Sequence, residues 1–156
     1  MTLISNTKIS LAGLLIVSLV FLAGCGEAEP EIIQATGKVT IDGEPLNCAL
    51  VSFVPMADGM DSSSTATGLT DEDGNFTLSF YSGPGVTIGL NKITIVDEPT
   101  PDGGRSLSQE GDRIRQEHQA KFKNRPIPSE YASIAMTPLS IEVTADKKEY
   151  LIEIKR

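Results

Sequence analysis

The chain has 156 residues, a formal net charge of −8, no tryptophan and two cysteines, a length that fits one domain plus a targeting segment. Its acidity excludes a nucleic-acid-binding surface, which needs clustered cations to displace counterions, and argues against a domain lying flat on an anionic membrane. With 40% hydrophobic residues it is too apolar for a disordered chain, and its Gly, Pro, Thr and β-branched content favours strands and turns over helices.

Residues 1–8 are polar, with Lys8 as their one charge, and residues 9–22 are an apolar run broken only by small residues. That run is shorter than the ~20 residues of a membrane-spanning helix, and no basic stop-transfer cluster follows it. It therefore reads as a secretory signal peptide over residues 1–24. Its last residues, Leu22-Ala23-Gly24-Cys25, resemble the lipobox of bacterial lipoproteins at all four positions. The resemblance implies diacylglycerol on the Cys25 sulfur, cleavage before Cys25 and N-acylation of the new terminus. Two or more acyl chains make a stable anchor, at ~0.8 kcal/mol per buried CH₂. Gly26, where an inner-membrane lipoprotein of a Gram-negative cell carries Asp, implies the outer membrane, facing the periplasm or the cell surface.

Residues 1–24 hold one lysine and no acid, so the chain from Cys25 has 132 residues and a charge of −9. Residues 25–34 are expected to be the lipidated cysteine and an acidic tether, EAEPEIIQ, reaching at most about 26 Å. If the Cys25 thiol carries lipid, Cys48 is left free. Beside Ala49 and an apolar run, Cys48 is expected as a small buried side chain with no local base to activate it.

From residue 35 to 156 the pattern is that of one β domain. Residues 37–41 alternate apolar and polar, and Asp42-Gly43 is a tight-turn signal. Ala49, Val51 and Phe53 share a face up to Pro55. A short strand is expected over 65–70, then a turn at Asp71-Glu72-Asp73-Gly74. Another strand is expected over 75–80, with Phe76, Leu78 and Phe80 inward. Over 86–96 the parity slips between Ile88 and Ile93, which a bulge or a fresh strand starting near Leu90 reconciles; Gly89 suits the second. Residues 99–125 depart from the pattern and predict a long, partly helical surface insertion, with Leu107, Ile114 and Phe122 as a thin apolar stripe. Leu139, Ile141 and Val143 form the next strand, and Tyr150, Ile152 and Ile154 the last. About seven strands at short spacing predict an all-β sandwich.

The order of these segments resembles the carboxypeptidase regulatory-like domain. Residues 36–46, TGKVTIDGEPL, match its opening strand and turn, Val51-Ser52-Phe53 its next strand, and residues 70–76, TDEDGNF, its hairpin. Residues 89–95 are similar to its following strand, with Asn91 where an aromatic is common. Residues 127–131 and 137–139 look like a signature of small bacterial lipoproteins carrying this module. The resemblance implies a prealbumin-like (transthyretin-like), Ig-like sandwich and a mostly non-catalytic role.

Chemistry is sparse. Asp71 and Asp73 are candidate Ca²⁺ ligands, with Asp58 and Asp61 as possible additions, but Gly74 comes too early and Ser82 replaces the terminal Glu of an EF-hand loop. A hairpin turn in which Asp71 bonds its own backbone is the competing reading and the favoured one. His118, the single histidine, is expected on a solvated helix face, and one His builds no zinc site. Arg113, Arg115, Lys121, Lys123 and Arg125 are expected to be a solvated basic run paired with Glu110, Asp112 and Glu117. Tyr131 is expected to pack at the sandwich edge with its hydroxyl near water. No metallocarboxypeptidase His-x-x-Glu pair and no Tyr-Arg-Gly-Ser terminus of a hydroxyisourate hydrolase is present. The expected function is thus a membrane-anchored envelope lipoprotein, not an enzyme and without a cofactor. Its sandwich would serve structure or protein interaction; carbohydrate or peptide binding is the alternative, and a hydrolase is disfavoured. Expected partners are the membrane through Cys25 and an envelope protein or glycan, with no nucleic acid.

Overall fold

The computed structural model describes residues 31–57, 62–102, 104 and 106–156. The expected signal segment, with Leu22, Ala23, Gly24 and Cys25, lies outside the described residues, as do tether residues 26–30 and the loop acids Asp58 and Asp61.

The described residues form twelve short strands and one α-helix. The strands are β1 (Ile32–Ile33), β2 (Thr36–Ile41), β3 (Glu44–Pro45), β4 (Ala49–Pro55), β5 (Ala66–Leu69) and β6 (Asn75–Thr77), then β7 (Ser79–Phe80), β8 (Gly83–Pro84), β9 (Val86–Thr87), β10 (Gly89–Asp97), β11 (Ser140–Val143) and β12 (Glu149–Ile154). The helix is α1 (Gln109–Gln119). One sheet runs β11-β10-β4-β5-β7-β8, and a second runs β12-β2, with β3 and β6 both pairing β2. Within the second sheet the central strand β2 and the edge strand β12 are parallel, with Leu151 opposite Lys38.

Strict alternation is what makes these strands. Along β2, Val39 and Ile41 are buried while Lys38 and Thr40 are half-exposed; along β4, Ala49, Val51, Phe53 and Pro55 are buried. The buried rows of the two sheets face each other. Phe53 of β4 meets Phe76 of β6 at 6.2 Å and Tyr150 of β12 edge-on at 5.9 Å between ring centroids. The result is a sandwich-like, mostly β fold with an aromatic centre.

The stretch 75–80 does not stay in one sheet. β6 pairs β2, Leu78 is buried between, and β7 pairs β5 of the other sheet. The parity slip is resolved at Gly89. Its φ of +114 separates β9 from β10, after which Asn91, Ile93 and Ile95 point inward and Leu90 outward.

Two expectations about the chain's margins change. Residues 31–34, expected as tether, lie on the domain: β1 pairs β9 in antiparallel register, and the Ile88 N–H donates to the Glu31 carbonyl at 2.9 Å. Gly85 permits this approach, since a methyl there would overlap the Ile32 side chain and sit 3.0 Å from the Ile33 carbonyl oxygen. The insertion is helical, but over a shorter span and with a different inner face than its apolar stripe suggests. Ser108 caps α1 by accepting the Gly111 N–H at 3.1 Å, and Leu107 is 99% exposed. The residues buried along α1 are Gly111 and His118.

Candidate functional site

The acidic turn places Asp71 where β5 leads into β6. Asp71 Oδ1 accepts the N–H groups of Asp73 at 2.9 Å and Asn75 at 2.8 Å, and Oδ2 accepts Asn75 Nδ2 at 3.2 Å. The Asn75 N–H is the main reason the Asp71 carboxyl titrates below the ordinary carboxylate range. Gly74, at φ +79, closes the turn, and a side chain there would also crowd the Val39 carbonyl. Asp71 is thus committed to its own backbone, as the hairpin reading expects. Asp73 is exposed beside it, and no group of three or more His, Cys, Asp or Glu converges among the described residues.

The sign of the pH effect follows from that lowered value. The Asp71 carboxylate stabilises the folded state above its unfolded pKa of about 3.9, and the contribution disappears as pH falls through the folded value. Asp71→Ala should therefore lower the urea midpoint at pH 7, and the gap from the parent chain should close below about pH 4. A gap that stays constant down to pH 3 would show that the carboxylate charge plays no part.

Next to this turn is an open concavity of about 510 Å³, walled by Thr36, Asp71, Asn75, Thr77 and Glu149, with Leu69 on its rim. A second, of about 370 Å³, adjoins it across Thr36 and Thr77 and is lined further by Gln34, Pro84 and Lys148. Hydroxyls, two amides, two carboxylates and one ammonium can hydrogen-bond a polar ligand. None of these lining side chains is a His or Cys.

Around α1 the structure overturns the solvated reading for His118 and for Arg125. His118 is only 5% exposed, with Nε2 3.1 Å from the Glu98 carbonyl oxygen and its ring edge-on to Phe122 at 5.0 Å. Burial follows because the last turn of the helix packs onto the segment after β10. Arg113 does pair with Glu110 and Glu117, and Arg115 with Asp112. Arg125 is different: it pairs with Asp97, donates to the Asn47 and Cys48 carbonyls at 2.7 and 3.0 Å, and stacks over Phe122. Asn47 completes the clamp, donating to the Lys121 carbonyl and accepting the Lys123 N–H. Cys48 is half-buried, not buried, and sits at φ +47. Burial first, then the Glu98 charge, push its thiol up, which makes it a poor nucleophile.

Tyr131 is buried on a short 3-10 turn (Ser129–Ala132), and its hydroxyl accepts the Lys155 N–H at 3.5 Å. Asn91, in the place of an aromatic, is fully buried. Its Nδ2 serves the Thr87 and Gly89 carbonyls, and Oδ1 has no partner among the described residues. Sequence reading did not single out Asn47 and placed Arg125 in the solvated basic run, because the partners of both lie far along the chain; the one local signal is that Asn is a turn-favouring residue.

No family model, curated protein or solved structure matches this chain.

Proposed function

We propose that the chain is a membrane-anchored envelope lipoprotein whose non-catalytic domain serves a structural or protein-interaction role. The observation that carries this reading is Leu22-Ala23-Gly24-Cys25 at the end of a 14-residue apolar run, residues 9–22, directly before an acidic segment. Lipid at Cys25 gives such a chain its location, with the outer membrane favoured by Gly26. Among the described residues no helix is long and apolar enough to cross a membrane. The domain is read as a carboxypeptidase regulatory-like, prealbumin-like sandwich. That reading draws support from the motif order and from two sheets meeting at Phe53, Phe76 and Tyr150.

Metabolic labelling with a fatty-acid analogue tests the anchor. The parent chain should take the label and sediment with membranes, whereas Cys25→Ala should lose the label and release the domain. Label retained by Cys25→Ala would end the lipoprotein reading.

A further inference from the structure

The edges of the two sheets are not alike. β8 is two residues long and carries Pro84, β3 is two residues long and carries Pro45, and β11 spans four residues. Shortness and proline are the usual means of blunting a sheet edge. β12 has neither. It is six residues of strongly β-forming sequence, EYLIEI, and stands at the end of its sheet order.

The direction of its backbone groups follows from the parallel register. The Thr36 N–H donates to the Lys148 carbonyl at 2.8 Å and the Asp42 N–H to the Ile154 carbonyl at 3.0 Å. Even-numbered residues of β12 thus direct their N–H and C=O groups at β2, and Glu149, Leu151 and Glu153 direct theirs outward. None of those outward groups has a backbone partner among the described residues. Beyond the strand the outward series finds a side-chain partner, where the Tyr131 hydroxyl takes the Lys155 N–H. On the outer face the same three residues show their side chains. Leu151 is 72% exposed between Glu149 and Glu153, and neither glutamate joins an ion pair among the described residues.

We propose that the free edge of β12 is a docking site for an extended segment of another polypeptide, added antiparallel as a further strand, with an apolar side chain opposite Leu151 and basic side chains opposite Glu149 and Glu153. Hydrogen bonds to the three outward N–H and C=O pairs would supply affinity, and the Glu-x-Leu-x-Glu row would supply selection. The same row disfavours a second copy of this chain centred on Leu151, because Glu149 of one copy would then face Glu153 of the other. The proposal does not depend on lipid at Cys25.

The probe is the heptapeptide Thr-Lys-Thr-Leu-Thr-Lys-Thr, acetylated and amidated, titrated against the full-length chain. Amide exchange at Glu149, Leu151 and Glu153 should slow by about tenfold or more, with Tyr150 and Ile152 unaltered, since their N–H groups already serve β2. Methylating the peptide's leucine and lysine amide nitrogens should weaken binding by about tenfold, as should replacing its lysines with glutamate. Leu151→Pro removes one outward N–H without touching the ladder to β2 and should abolish binding. If that variant does not fold, Glu149→Lys with Glu153→Lys, which leaves the backbone intact, should lose the lysine peptide and gain the glutamate one. Binding of the methylated peptide within about twofold of the parent, or unchanged binding by the double variant, overturns the proposal. So does self-association of the chain that protects the same three amides, because the occupant is then a second copy.

Discussion

Phe53→Ala should destabilise the domain by about 3–5 kcal/mol, measured as a lower midpoint in denaturant with an unchanged slope. Phe53 is fully buried on β4, and its ring touches aromatics from two segments of the opposite sheet, Phe76 and Tyr150. Truncation removes the ring where the sheets are joined, and rigid strands on both sides limit collapse into the cavity. Phe53→Leu should recover more than half of the loss. A cost for Phe53→Ala under about 1.5 kcal/mol would show that the two sheets do not pack through this ring.

Gly37→Ala is the second large effect, about 2–3 kcal/mol and read in the same way. Gly37 lies in β2, where a methyl would run into the Tyr150 carbonyl oxygen and stand 2.5 Å from Phe76 Cζ. The parallel partner and the aromatic ring leave no space, so the cost is steric. Gly43 is the control. It has φ +86 but nothing within 4 Å of an added methyl, so Gly43→Ala should cost only about 1 kcal/mol, for the backbone conformation alone. Equal costs at the two positions would mean that the close approach at Gly37 is relieved by movement of β12.

The inner rows were legible because period-two alternation reports directly on burial. Val39, Ile41, Ala49, Val51, Phe53, Ile93, Ile95, Tyr150, Ile152 and Ile154 are all buried as their parity requires. The Gly89 break was legible because two parities cannot share one strand. Pairing was not. Nothing local says that β2 runs parallel to β12, or that residues 75–80 pass from one sheet to the other, since both depend on distant partners. The Asp71 turn was readable, because its bonds are to residues two and four positions on. The node of Asn47, Arg125 and His118 was not, because polar residues around a weak helix look the same whether the helix faces water or lies on a strand end.

The docking of β1 has a further consequence. With Glu31 bonded to Ile88 and Ile32–Ile33 paired, only residues 26–30 separate Cys25 from the folded body. If Cys25 bears lipid as proposed, this leash spans at most about 20 Å, little more than the ~14 Å gyration radius expected for a domain of this size. A body held in that way would stay within about one molecular diameter of the bilayer, so its encounters would be effectively two-dimensional, with partners that share the membrane or come to it. Lengthening the leash would change how often such partners meet the domain and leave the domain itself unaltered.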